Sequence, residues 1–94
     1  MTMKKAKIAV LVSGGGTNLQ ALLDAWKDGA IPHGEIALVV SNNPGAYALE
    51  RAARAGVPSR VLVKKELGGQ AGFEAALERT IEAFSIDLII LAGF

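Results

Sequence analysis

Short apolar runs of strand length alternate along this chain with stretches of helical period, and that alternation leaves few architectures open. Ile8 to Val12, Ile36 to Ser41, Arg60 to Val63 and Leu88 to Phe94 read as strands. Between the first two, Leu19, Leu22, Leu23 and Trp26 fall on one face of a helix that Gly29 would stop. Asn43-Pro44 reads as the N-cap and first position of a second helix carrying Glu50 and Arg54 at i, i+4, with Gly56 and Pro58 ending it. After a stretch loosened by Gly68, Gly69 and Gly72, a third helix carries Phe73, Leu77, Ile81 and Phe84, and Asp87 leads into the last strand. The order βαβαβαβ with nearly continuous apolar strands predicts an α/β fold, a parallel sheet with helices on both faces and the third strand near an edge.

Size and composition bound this picture. The 94 residues make one domain at most, expected to span residues 1–94, and a chain this short buries only about two thirds of its unfolded surface. A net charge of +1 leaves no footprint for nucleic acid. Without cysteine there is no disulfide, thiolate nucleophile or cysteine-held zinc, a composition suited to a reducing cytoplasm. Met1 to Lys5 ahead of the first apolar run has the outline of a secretory signal, but the run is too short and glycines replace the cleavage site. Nothing approaches the ~20 apolar residues of a membrane span. A cytoplasmic protein is expected, with no membrane partner.

In a doubly wound order the fourth strand lies beside the first. Leu88 to Leu91 has the pattern of a strand buried on both faces, and only three residues follow it. Left uncovered it would be an apolar edge prone to aggregation. The expectation is therefore the first part of a larger fold, incomplete at the C-terminus, or a fold finished by a completing chain. The alternative is a small four-stranded domain that tolerates the edge.

Ligands of such sheets gather at the carboxyl ends of the strands, here Ser13 to Asn18, Ser41 to Asn43, Lys64-Lys65 and Gly93-Phe94. None of these ends carries a carboxylate, so neither an acid/base pair nor a metal site is encoded there. The turn Ser13-Gly14-Gly15-Gly16-Thr17-Asn18 is the strongest signal. A dinucleotide fingerprint needs a third glycine where Leu19 stands, and an acid after the second strand where Ser41-Asn42-Asn43 stands. A nucleoside-triphosphate loop needs a lysine that Thr17-Asn18 does not supply. A site for a single phosphate remains, with Gly15 and Gly16 giving backbone access and Thr17 and Asn18 donating from their side chains. The plainer alternative is a tight turn in which Thr17 or Asn18 caps the helix. Ser13 has no base in view, and His33 is placed at the opposite end of the sheet as a solvated loop residue. Lys64 and Lys65 read as a solvated turn, and Trp26, Phe73 and Phe84 as packing.

The run Ile8-Ala-Val-Leu-Val-Ser-Gly-Gly-Gly-Thr-Asn-Leu-Gln20, with Val40-Ser-Asn-Asn43, Glu50-Arg51-Ala52, Gly56-Val57 and Asp87-Leu-Ile-Ile-Leu-Ala-Gly-Phe94, resembles the phosphoribosylglycinamide formyltransferase family. The resemblance covers nearly the whole chain, which corresponds to about the first half of a typical member. It implies a Rossmann-like sheet whose first turn, here Gly16, Thr17 and Asn18, holds the phosphate of 5-phosphoribosylglycinamide. It also implies formyl transfer from 10-formyltetrahydrofolate to the glycinamide amine in purine synthesis, with no metal. Such chemistry needs a neutral amine as nucleophile and positioned donors for the developing oxyanion. The family supplies these with an asparagine, a histidine and an aspartate, all expected after Phe94, so no catalytic residue falls in this chain and alone it is expected to be inactive. An arginine that contacts the folate in this family aligns near Gln70, where the chain departs from the pattern. Leu91 and Gly93 fall at the rim of the folate pocket, where packing also accounts for them. Two other readings stay open: a related formyl-folate hydrolase, and a self-contained, non-catalytic phosphate- or nucleotide-binding module.

Overall fold

The computed structural model describes residues 5–94, so most of the signal-like start, Met1 to Lys4, lies outside the described residues. The elements follow the expected alternation: β1 (Ala6–Val12), α1 (Thr17–Lys27), β2 (Gly34–Ser41), α2 (Tyr47–Arg54), β3 (Ser59–Val61), α3 (Gln70–Ala83) and β4 (Leu88–Leu91). All strand pairs are parallel and the sheet runs β3-β2-β1-β4. β3 is an edge strand as expected, and β4 lies beside β1 on the other side.

Side chains alternate across β1 and divide the core into two layers. Ile8, Val10 and Val12 pack with Leu19 and Leu23 of α1 and Ala48 and Ala52 of α2. Ala9 and Leu11 meet Leu77 of α3, Phe84 and Ile86 on the opposite face. The helices therefore cover both faces. A bulge adjusts the second strand: pairing passes from Ile8–Ile36 to Ala9–Leu38, which leaves Ala37 as the extra residue. Ile36 then faces α1 and α2 while Leu38 faces α3.

The ends of α1 and α2 repeat one device. The N–H groups of Gly29 and Ala30 return to the Trp26 and Ala25 carbonyls at 3.1 and 2.8 Å, and those of Gly56 and Val57 return to Ala53 and Ala52 at 3.1 and 2.9 Å. Trp26 and Phe84 pack against the two core layers, and Phe73 is buried.

Several boundaries differ from the sequence reading. Asn43-Pro44 does not open α2, which begins at Tyr47 after an extended Ala46. Asn43 instead closes a turn, its Oδ1 accepting the Gly45 N–H at 3.0 Å and its carbonyl accepting the Ala46 N–H at 3.1 Å. The helix gains a partner elsewhere, since the Ala48 N–H donates to the Gly14 carbonyl at 3.3 Å. α3 starts at Gln70, so Gly72 lies within its first turn. A Cβ there would collide with the Leu67 carbonyl, which is why glycine marks that position without breaking the helix. β3 stops at Val61, although the Leu62 N–H still reaches the Ser41 carbonyl at 2.8 Å.

β4 stops at Leu91, where the sequence reading ran the strand on to Phe94, and it is the largest departure from its apolar pattern. Asp87 fixes its entry, donating its N–H to the Lys7 carbonyl at 2.8 Å and accepting the Lys7 N–H on its carboxylate at 2.9 Å. Ile90 packs on the α1/α2 layer. Leu88, Ile89 and Leu91 are nonetheless 50, 41 and 68 % exposed, because neither face of this edge strand is fully covered by a helix.

Candidate functional site

Strand order reverses at β1, with β2 and β3 to one side and β4 to the other, which makes the carboxyl ends of β1 and β4 the crevice of the sheet. The structure brings the named segments together there. The Ser13 N–H donates to the Gly93 carbonyl at 3.0 Å, and Asn43 Nδ2 reaches the Ser13 carbonyl at 3.5 Å. The fully buried Ser41 hydroxyl accepts the Asn43 N–H and donates to the Asn43 carbonyl, both at 3.0 Å, which locks the end of β2. Phe73 stacks on Phe94 with ring centroids 5.8 Å apart, and Lys64 Nζ lies 6.0 Å from the Phe73 centroid.

The glycine turn bends through Gly16, which takes the left-handed conformation (φ 79°, ψ 30°) and is itself the N-cap of α1. Neither Thr17 nor Asn18 caps the helix, contrary to the plainer sequence reading, because the helix has already begun at Thr17. Gly16 is required by the fold: a Cβ there would lie 2.7 Å from the Ala48 Cβ. Gly14 and Gly15 are different, since a Cβ at either would meet none of the described residues within 4 Å. The first helical bond runs from the Gln20 N–H to the Gly16 carbonyl at 2.8 Å. The N–H groups of Thr17, Asn18 and Leu19 precede it and have no partner among the described residues. The Thr17 and Asn18 side chains are exposed and make no hydrogen bond among those residues.

α2 supports the turn from behind. Besides the Ala48 N–H on the Gly14 carbonyl, Arg51 Nε donates to the Gly15 carbonyl at 2.7 Å. Arg51 Nη1 donates to Gln20 Oε1 at 3.2 Å, and Gln20 Nε2 donates to Asp24 Oδ1 at 2.9 Å. The Arg51 guanidinium also lies 4.9 Å from the centre of the Tyr47 ring. Sequence reasoning noted Arg51 only as part of a family pattern; its partner is 36 residues away, beyond any local signal.

The remaining candidates lie around this centre. Gln70 opens α3 and donates to Glu74 at 2.9 Å, on the helix's own surface. Leu91 pairs with Leu11 in the sheet and is largely exposed. Lys64 and Lys65 are exposed in the turn after β3. The His33 carbonyl accepts the Ala6 N–H at the start of β1, the end of the sheet away from the glycine turn. A groove of about 550 Å³ lies between α1 and α2, lined among others by Trp26, Lys27, Arg51 and Arg54. Among the described residues no cluster of histidine, aspartate and glutamate side chains is gathered to hold a metal, and no helix is long and apolar enough to cross a membrane. The arrangement can accept an anion on backbone N–H groups at a helix start, but among the described residues no acid/base pair stands beside it.

The chain is similar to known proteins in sequence and in fold. The formyl transferase family profile matches residues 6–94. The trifunctional purine biosynthetic protein adenosine-3 of Gallus gallus is 49 % identical over 96 % of this chain, which spans 9 % of that protein. The phosphoribosylglycinamide formyltransferase of Haemophilus influenzae is 43 % identical over 94 % of the chain, which spans 41 % of it. The crystal structure of glycinamide ribonucleotide transformylase 1 from Geobacillus kaustophilus superposes with a TM-score of 0.91 at 43 % identity, covering 96 % of this chain and 47 % of that one. The chain thus spans less than half the length of each of these relatives.

Proposed function

The chain belongs to the formyl transferase family, and from that premise we propose that it supplies the phosphate subsite for 5-phosphoribosylglycinamide in formyl transfer to the glycinamide amine. The observation that carries this reading is the open face of the glycine turn. Gly14 and Gly15 leave space that none of the described residues fills, and the N–H groups of Thr17 and Asn18 have no partner among those residues at the start of an 11-residue helix. A helix start carries roughly half a positive charge, and a phosphate there gains charge-assisted hydrogen bonds of about 1.5–3 kcal/mol each. Gly16, Thr17 and Asn18, with Gly15 beside them, are the proposed contacts.

The donor is a folate carrying the formyl group, 10-formyltetrahydrofolate in this reading. Leu91 beside Gly93 and Gln70 at the start of α3 are the residues of this chain proposed to border it. The chain's own contribution is to hold and orient the acceptor, so that its amine reaches the formyl carbon without a search through solvent. No group for the proton transfer is assigned to this chain.

Calorimetric titration with 5-phosphoribosylglycinamide, and with the same compound lacking its phosphate, tests the proposal. The phosphorylated compound is expected to bind at least about 100-fold more tightly, the worth of two such hydrogen bonds. Equal affinities would overturn it.

A further inference from the structure

We propose that Arg51 is a positioning residue that sets the polarity of the glycine turn, holding its carbonyls toward α2 and so turning its N–H groups to the ligand side. The inference rests on the phosphate reading given above and adds to it a residue that touches no ligand.

Three successive carbonyls of the turn take donors from one side of the molecule. Asn43 Nδ2 lies 3.5 Å from the Ser13 oxygen, the Ala48 N–H 3.3 Å from that of Gly14, and Arg51 Nε 2.7 Å from that of Gly15. A trans peptide is planar, with its C=O and N–H antiparallel, and no peptide bond among the described residues is cis. Each carbonyl drawn toward α2 therefore turns the next N–H away from α2. The N–H groups of Gly14, Gly15 and Gly16 have no partner among the described residues, as this requires. Successive N–H groups presented together form an anion-binding concavity. The row continues directly into the N–H groups of Thr17 and Asn18, which likewise have no partner among those residues.

Within this set Arg51 makes the shortest contact and the only one from a charged group. A glycine peptide has little steric preference of its own, so without a restraint the Gly15–Gly16 unit can rotate. Arg51 is itself held, by Gln20 through Nη1 and by the Tyr47 ring beneath its guanidinium. The restraint thus joins the start of α1 to the face of α2.

The test uses the full chain in three forms: unsubstituted, Arg51→Met and Arg51→Lys. Backbone amide NMR is recorded without ligand, with 5-phosphoribosylglycinamide, and with inorganic phosphate as the minimal probe. In Arg51→Met the Gly15 and Gly16 amides should shift and lose order without ligand, while signals from β1 and β2 stay in place. Its affinity for 5-phosphoribosylglycinamide should fall about tenfold, the worth of one charge-assisted hydrogen bond. Arg51→Lys keeps a charged donor for the Gly15 carbonyl and should recover most of that loss, a rescue that a packing role would not produce. Phosphate binding and turn order unchanged in Arg51→Met would overturn the proposal alone. An unsubstituted chain whose Gly14 to Asn18 amides respond to neither probe would overturn the phosphate reading, and this proposal with it.

Discussion

β2 and β4 flank the same central strand and carry similar apolar residues, yet they live in different surroundings. Leu38, Val39 and Val40 of β2 are fully buried, whereas Leu91 of β4 is 68 % exposed. The difference is one of neighbours. β2 lies between β1 and β3 with α1 and α2 over one face and α3 on the other, while among the described residues β4 has a strand on one side only. An apolar run thus reports what a strand is suited to be covered by, and its burial depends on what covers it. The two flanks also differ at the crevice. On the β2 side, Asn43 and α2 grip the glycine turn through its carbonyls, while on the β4 side the Gly93 carbonyl makes one contact with Ser13.

Substitutions on the two flanks and at the turn between them put this comparison at risk. Leu38→Ala should cost about 2–5 kcal/mol by chemical denaturation, because it opens a cavity between β2 and α3; a loss below about 1 kcal/mol would show that this layer is loosely packed. Gly16→Val should follow at about 2–4 kcal/mol, since it forces a branched side chain into the left-handed region and against Ala48. It should also abolish binding of 5-phosphoribosylglycinamide, and retention of full affinity would show that the turn is not the site. Leu91→Lys should change folding stability by no more than about 0.5 kcal/mol, as expected at an exposed position. Its effect should appear in association instead. Sedimentation of the unsubstituted chain is expected to show self-association through the exposed apolar edge, reduced by Leu91→Lys; a clean monomer before substitution would contradict that view of β4.

Much of the architecture was legible because its signals are local. The periodicities of Leu19 to Trp26 and of Phe73 to Phe84, and the stops at Gly29 and Gly56, need no knowledge of the rest of the chain. Errors arose where tertiary contacts decided. Asn43-Pro44 suits a helix start and a turn equally well, and the Ala48 contact with Gly14 settled α2 to a later beginning. The bulge at Ala37 depends on pairing with β1 and leaves no mark in composition. At the glycine turn the motif was visible but its division of labour was not. Gly16 answers to Ala48 across the fold, while Gly14 and Gly15 answer to open space. Arg51 was visible only as part of a family pattern, and its contact with the turn was not, because that hydrogen bond spans 36 residues.

The central claim is that the N–H groups of the glycine turn hold a phosphate. A crystal structure of the chain with 5-phosphoribosylglycinamide tests it most directly by locating the phosphorus atom. The account predicts phosphate oxygens about 2.7–3.1 Å from the backbone nitrogens of Gly16, Thr17 and Asn18. A phosphate seated instead in the α1/α2 groove, beside Lys27 and Arg54, with the turn left vacant, would contradict it.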